Sequence, residues 1–209
     1  MRFYCRMKRL FANILAVAVL LSAMVPVGCS EDEDLIGTQR ERIVSYLESN
    51  LGLVTEEEAD QSLTGELLPY YTVCGEAYRY IANVYRTDRP SQVIDMGDVV
   101  TFHYESYTFE TAPATIPFAT NIRESGAVLA GEYGLDTTYW DFSPRVVRLG
   151  GDSILKGLES SLPQCAAGDT VYVFMPSTAA YDDKSMGVVA ANTAVMMLVI
   201  IDSVENSFF

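Results

Sequence analysis

The sequence predicts a small α+β domain built from four or five antiparallel strands, one crossing helix and a long irregular loop. Three observations carry this. The 209 residues are 49% hydrophobic, 20% charged and 11% aromatic, an ordinary globular composition with enough apolar material for one core. Segments rich in aromatic and β-branched residues recur from Tyr70 onward. Among them stands one short run at helical spacing, Ile154 to Leu162.

Residues 1–28 open with Arg2, Arg6, Lys8 and Arg9, run through apolar residues from Leu10 to Val27, and end at Gly28 before Cys29. That is the layout of a secretory signal, which takes no part in the fold. The apolar run is too short and too interrupted for a permanent span. A small residue followed by Cys29 resembles a bacterial lipobox; Val25, Val27 and Gly28 fit it, and Pro26 stands where Leu is usual. The resemblance implies cleavage before Cys29 and lipidation of its sulfur. Residues 29–38 then read as an acidic tether, since Ser30-Glu31-Asp32-Glu33-Asp34 repels itself and is expected to stay extended. Cys-Ser followed by acids is also similar to the signal that carries lipoproteins to the outer face of the outer membrane in Bacteroidetes-type bacteria. A periplasmic and a surface-exposed envelope address both remain open.

Residues 39–69 form a helical extension in which Glu41 to Leu51 is amphipathic, with Ile43, Val44, Tyr46 and Leu47 at helical spacing and Gly52 as its stop. Thr55 to Leu67 is acidic and polar, a surface turn or short helix. Residues 70–209 hold the sheet. Ala77 to Tyr85 alternates in part and is rich in aromatics, so it reads as strand, closed by Thr87-Asp88-Arg89-Pro90-Ser91. Asp98 to Phe109 is a second strand, with Val100, Phe102, Tyr104 and Ser106 on one face and Thr101, His103, Glu105 and Tyr107 on the other. An irregular insertion around residues 119–144 has room for a short helix from Ile122 to Tyr133 and a loop from Gly134 to Pro144. Arg145 to Leu149 is a short strand, and Ile154 to Leu162 is the crossing helix with Asp152 or Ser153 as its cap. Thr170 to Pro176 and Thr193 to Val204 complete the sheet, the last a nearly continuous apolar run expected to be buried on both faces.

Charge excludes one class of partner. The net charge is −14, and a chain cut before Cys29 keeps 10 Lys/Arg against 28 Asp/Glu, a net of −18 that repels nucleic-acid backbones. A single histidine and the lack of a Cys-x-x-Cys pair argue against zinc or redox chemistry, and no cofactor is expected. Asp182-Asp183 reads as a solvated turn, and His103 as a packed or hydrogen-bonded strand residue. Cys74 and Cys165 are the only body cysteines; an oxidising compartment would allow them to pair, although nothing in the sequence fixes their separation.

Three ordered segments, Gly97 to Tyr104, Leu149 to Leu158 and Ala167 to Tyr181, together resemble an FKBP-type peptidyl-prolyl isomerase of the kind found in Bacteroidetes envelope lipoproteins. The resemblance covers roughly Tyr70 to Val204. It implies a twisted antiparallel sheet of four to six strands wrapped around one short helix, here with an added N-terminal helix. It also implies a monomeric protein that assists the folding of exported proteins by binding proline-containing peptides or unfolded chains. By position, Leu155 would offer its backbone N–H to the substrate carbonyl and Tyr181 its hydroxyl to the peptide. Tyr104, Phe118, Ile154, Leu158, Val189 and Met197 would wall the proline pocket.

The departures bear on activity. Leu158 stands where the family has a tryptophan floor, Met197 where it has an aromatic, and Val189-Ala190-Ala191 where it reads Ile-Pro-Pro. The family's Phe-Asp pair is either Phe118-Ala119, which loses the acid, or Trp140-Asp141, which keeps it; the first leaves Trp140 in an inserted segment able to fold over the pocket. Without the family match, Ile154, Leu155 and Leu158 are ordinary core positions of a helix and Tyr181 an ordinary loop aromatic. The rivals to an isomerase are therefore a non-catalytic peptide-binding or chaperone module on the same fold, and a surface protein whose long loop engages a glycan or partner.

Overall fold

The computed structural model describes residues 30–206 apart from 63, 64 and 66. The signal segment and Cys29 lie outside them. Residues Ile36–Phe209 form one compact unit; of the other, Met1–Leu35, only the helical residues from Ser30 are described.

Helix α1 spans Ser30–Ser45 and continues as one π-helical turn, Tyr46–Asn50. This corrects the extended acidic tether, and the helix expected from Glu41 starts at Ser30 instead. A two-residue strand β1 (Val54–Thr55) leads into α2 (Glu56–Asp60), whose start is held reciprocally: the Thr55 hydroxyl accepts from the Glu58 N–H at 3.3 Å while the Glu58 carboxylate accepts from the Thr55 N–H at 2.9 Å. The expected β-rich stretch is a hairpin of β2 (Tyr70–Cys74) and β3 (Ala77–Ile81), turning at Gly75, whose φ of 62° suits glycine.

The remaining elements are β4 (Val99–Phe109), β5 (Ala119–Thr120), α3 (Arg123–Tyr133), β6 (Arg145–Arg148), α4 (Lys156–Ser161), β7 (Thr170–Met175) and β8 (Ala194–Glu205). A 3-10 turn, Ser177–Ala179, follows β7. The eight strands form one sheet in the order β1-β2-β3-β7-β8-β4-β5, with β6 pairing on β4. Six strands have four residues or more; β1 and β5 are two-residue additions, and β1 pairs with β2 in parallel while the other pairings are antiparallel.

Each face of the sheet carries its own core. On one face, Leu158 and Leu162 from the α4 region pack on Val100, Phe102, Val171, Val173 and Val199. On the other, Ile43 and Leu47 of the N-terminal helix cover Tyr71, Tyr78, Phe109, Phe174 and Met196, and the Tyr46 ring meets Phe109 edge-on at 5.5 Å. The apolar run of β8 follows from this: Val195, Met197 and Val199 serve the first core while Ala194 and Met196 serve the second. Past Ile201, where the cover ends, Asp202 and Ser203 are exposed.

Helix α4 lies against the sheet through Gly157. A β-carbon there would stand 2.5 Å from Met175 Cγ and 3.1 Å from Ala179 Cβ, so only glycine permits this approach. The cap is not the expected one: Leu155 occupies the N-cap position without a side-chain bond, and the Asp152 carboxylate accepts instead from the Arg148 N–H at 2.7 Å. At the far end, the buried Arg79 of β3 donates to the Ser161 carbonyl at 3.2 Å and also to the Pro163 carbonyl, holding carbonyls a short helix leaves open. Below the helix the fully buried Asp169 accepts from Arg89 at 2.8 Å and from the Ala166 N–H at 2.8 Å. Cys74 and Cys165 are free thiols, so the disulfide allowed by sequence is not formed.

Candidate functional site

The N-terminal end of α4, the middle of β4, β8 and the loop after β7 enclose an open cleft of about 360 Å³. Each wall has a local cause. Tyr104 comes from β4, where alternation sets it on the α4 face next to Phe102, their rings 6.2 Å apart edge to face. Its backbone is fixed by the buried Asn121, whose Oδ1 accepts from the Tyr104 N–H at 2.6 Å while its Nδ2 donates to the Ser143 carbonyl at 2.9 Å. One amide side chain thus ties β4 to the segment leading into β6. Met197 faces the same cleft from β8, paired across the sheet with Ser106.

Ile154, Leu155 and Leu158 enter from the start of α4, and Tyr181 from the loop beyond the 3-10 turn. That loop is pinned by Gln39 of α1, which accepts from the Ser177 N–H at 2.8 Å and donates to the Asn192 carbonyl at 2.8 Å. Burial pushes the Tyr181 phenol above its ordinary range, with Tyr104 adding to the rise and Arg145 opposing it, so it is a hydroxyl donor at neutral pH. Among the described residues, neither the Tyr181 nor the Tyr104 hydroxyl has a protein partner, and the Leu155 N–H donates to none. The cleft is therefore an apolar hollow with free donors at its edge, able to seat an apolar ring and hold a carbonyl beside it.

Of the residues expected at the site, the structure brings Tyr104, Ile154, Leu155, Leu158, Tyr181 and Met197 together on the cleft. Phe118 stands behind them, its ring against Tyr181 at 6.3 Å and 65°, while its neighbour Ala119 lines the cleft. Val189 does not line it; at 1% exposure it is packed into the core. Asp141, the alternative acid, is exposed and accepts from the Ser143 N–H at 2.9 Å in a local turn away from the cleft. Trp140 leans on Phe142 at 6.4 Å, and Phe142 fills the space a side chain at Gly126 of α3 would need, with the Arg123 guanidinium over its ring. The inserted segment thus packs on α3 rather than over the cleft, whose lining includes Ala119 and neither Trp140 nor Asp141.

The lining also holds Ser106, Arg145, Ser153 and Met186, which the sequence reading did not assign. The strand alternation already put Ser106 on the face of Tyr104, so that signal was present. Arg145 had none, since only the pairing of β6 with β4 brings it opposite Phe102. His103 lies on the opposite face of β4, its Nδ1 2.7 Å from the Asp202 carboxylate, and takes no part in the cleft.

No protein-family model and no curated protein matches the chain. Among solved structures it is similar to the N-terminal domain of FKBP42 from Arabidopsis thaliana, at 13% identity and a TM-score of 0.49, over 69% of this chain and 98% of that one.

Proposed function

We propose that this chain is a peptidyl-prolyl isomerase-like module of the FKBP type that binds X-Pro segments of exported proteins and speeds their cis–trans exchange. The observation that carries the reading is the open cleft with its unpaired Leu155 N–H beside the Tyr104 and Tyr181 hydroxyls. Rotation about X-Pro meets a barrier of ~18–20 kcal/mol because the planar amide is conjugated. The twisted amide loses that conjugation and is less polar at carbon and nitrogen. An apolar wall of Ile154, Leu158 and Met197 around the ring favours it over the planar form in water, while Leu155 and Tyr181 hold the peptide on either side. No nucleophile or proton shuttle is required.

A weaker, purely binding module is the second reading, and one observation favours it. The floor is aliphatic, formed by Leu158 at 3% and Met197 at 5% exposure, so a seated proline gains fewer contacts than an aromatic floor gives. The envelope address is a further part of the proposal, supported by the layout of residues 1–29 and by the Cys29 lipobox resemblance. Incorporation of labelled palmitate that disappears in Cys29→Ala supports it; equal labelling of both refutes it.

The function is tested by proline-limited refolding of a reporter protein with the purified chain. Acceleration is expected, reduced about 2- to 10-fold in Tyr181→Phe, the loss of one hydrogen bond. Leu155→Pro removes the other donor with little strain, because φ at Leu155 is already −61° and its N–H has no protein partner. A folded chain that neither accelerates refolding nor binds a proline peptide overturns the proposal; one that binds without accelerating supports the second reading.

A further inference from the structure

We infer that the cleft selects an acidic residue flanking the bound proline, with Arg145 as the receptor for its carboxylate; this rests on the isomerase-like reading above. Arg145 is the one charged side chain lining the cleft. Arg79 and Arg148, by contrast, donate to backbone carbonyls and Arg89 to Asp169. Among the described residues the Arg145 guanidinium makes no hydrogen bond or ion pair. Its backbone is fixed nonetheless, paired with Phe102 in the β4–β6 ladder. In a chain with 28 acidic residues, none lines this cleft.

A second unpaired group lies at the other end. Ser106 is 3% exposed, shares the β4 face of Tyr104, lines the cleft, and its hydroxyl has no partner among the described residues. Open to the cleft, it can donate to a carbonyl seated there. The four steps along β4 from Phe102 to Ser106 span about 13 Å at ~3.3 Å per residue, the reach of an extended peptide of about four residues. Such a peptide, with its proline over Leu158, sets a backbone carbonyl at Ser106 and the side chain flanking the proline at Arg145. A guanidinium matches a carboxylate by charge and by its forked donors.

The test is fluorescence-polarisation binding of two labelled peptides with blocked ends, Ala-Glu-Pro-Ala and Ala-Gln-Pro-Ala, to the purified chain, with the Pro-Glu and Pro-Gln orders as a second pair. In one order at least, the Glu peptide is expected to bind about fivefold tighter than its Gln partner, the scale of an exposed ion pair, and to lose most of that advantage in 0.5 M salt. The net −14 of the chain opposes any acidic ligand, so the preference has to come from groups in the cleft itself, and Arg145→Gln separates the guanidinium from the neutral donors there. Arg145→Gln is expected to abolish the discrimination, bringing Glu-peptide affinity to that of the Gln peptide, and Ser106→Ala to weaken both peptides alike. Equal binding of Glu and Gln peptides, or a preference that survives Arg145→Gln, overturns the inference and leaves the isomerase-like reading standing. Failure of all four peptides to bind overturns the inference, and the isomerase-like reading falls with it only when the chain also fails to accelerate proline-limited refolding.

Discussion

Gly157→Ala tests how closely α4 is seated on the sheet, and with it the geometry of the cleft. The added methyl would sit 2.5 Å from Met175 Cγ and 3.1 Å from Ala179 Cβ, against a carbon–carbon optimum of ~3.5–4.0 Å. It therefore encroaches on Met175 by roughly 1 Å. Cγ is near the base of that side chain and Met175 is fully buried, so no free end swings aside. Overpacking of this kind costs ~1–3 kcal/mol, and the helix preference of Ala over Gly offsets about 1 kcal/mol. The expected result is a net loss of about 1 kcal/mol, read by urea unfolding or as a Tm lower by about 2–4 °C. Peptide binding should fall further than stability does, because lifting α4 displaces Leu155 and Leu158 together. Met175→Ala supplies the control. Alone it opens a gap and costs ~2–5 kcal/mol, but in the double variant the new methyl fills that gap, so the cycle should show coupling of about 1–3 kcal/mol. A Gly157→Ala protein that is more stable than the parent, with additive behaviour in the cycle, would refute the close seating.

Three further expectations follow from the buried chemistry. Asp169→Asn leaves Arg89, and Arg86 3.5 Å away, without their buried counter-charge and should cost about 3 kcal/mol in denaturant, whereas a loss below 0.5 kcal/mol would mean the cluster is solvated. Burial pushes the Cys165 thiol up to about 12 and the Cys74 thiol above its ordinary range, so mass mapping after iodoacetamide at pH 8 should find both slow to react until urea is added; fast labelling of Cys165 in the native protein contradicts the packing. Burial, then the bond to Glu48, pushes the Tyr71 phenol up to about 12, above its unfolded value near 10. Its contribution is whole below pH 10 and lost as the pH climbs toward 12, so stability should decline across that window and decline less in Tyr71→Phe.

How far the sequence could be read depended on whether the signal was local. The alternation in β4 and the spacing in Ile154–Leu162 announce both elements, because a strand half-covered by core and a short helix on a sheet must repeat their apolar positions at 2 and 3.6 residues. The same periodicities, joined to the family resemblance, gather six of the named side chains on one cleft. Asp141 and Val189 lie in segments without a period, where nothing local fixes direction. Asp141 bonds its own turn two residues on, and Val189 is packed into the core within a loop that Gln39 ties at both Ser177 and Asn192. The start of α1 departs from expectation for a related reason: like charges along the chain suggest extension, whereas the backbone there continues the helix Ser30–Ser45, whose packing lies farther along at Ile43. Arg145 depended on a strand pairing that is not visible along the chain.

The sheet order has a consequence for how the chain is made. β7 and β8 lie between β3 and β4, so the two strands that join the halves of the sheet are among the last to be synthesised. Until residues beyond Ala194 have left the ribosome, the β2–β3 hairpin and the group around β4 share no hydrogen-bonded edge. Each presents an open flank to other nascent chains. A polypeptide interrupted near residue 190 is thus two unjoined fragments rather than a smaller version of the domain, and surveillance proteases would meet it as such. The same arrangement keeps the cleft from existing early, since Met197 reaches it only when that final strand slots into place.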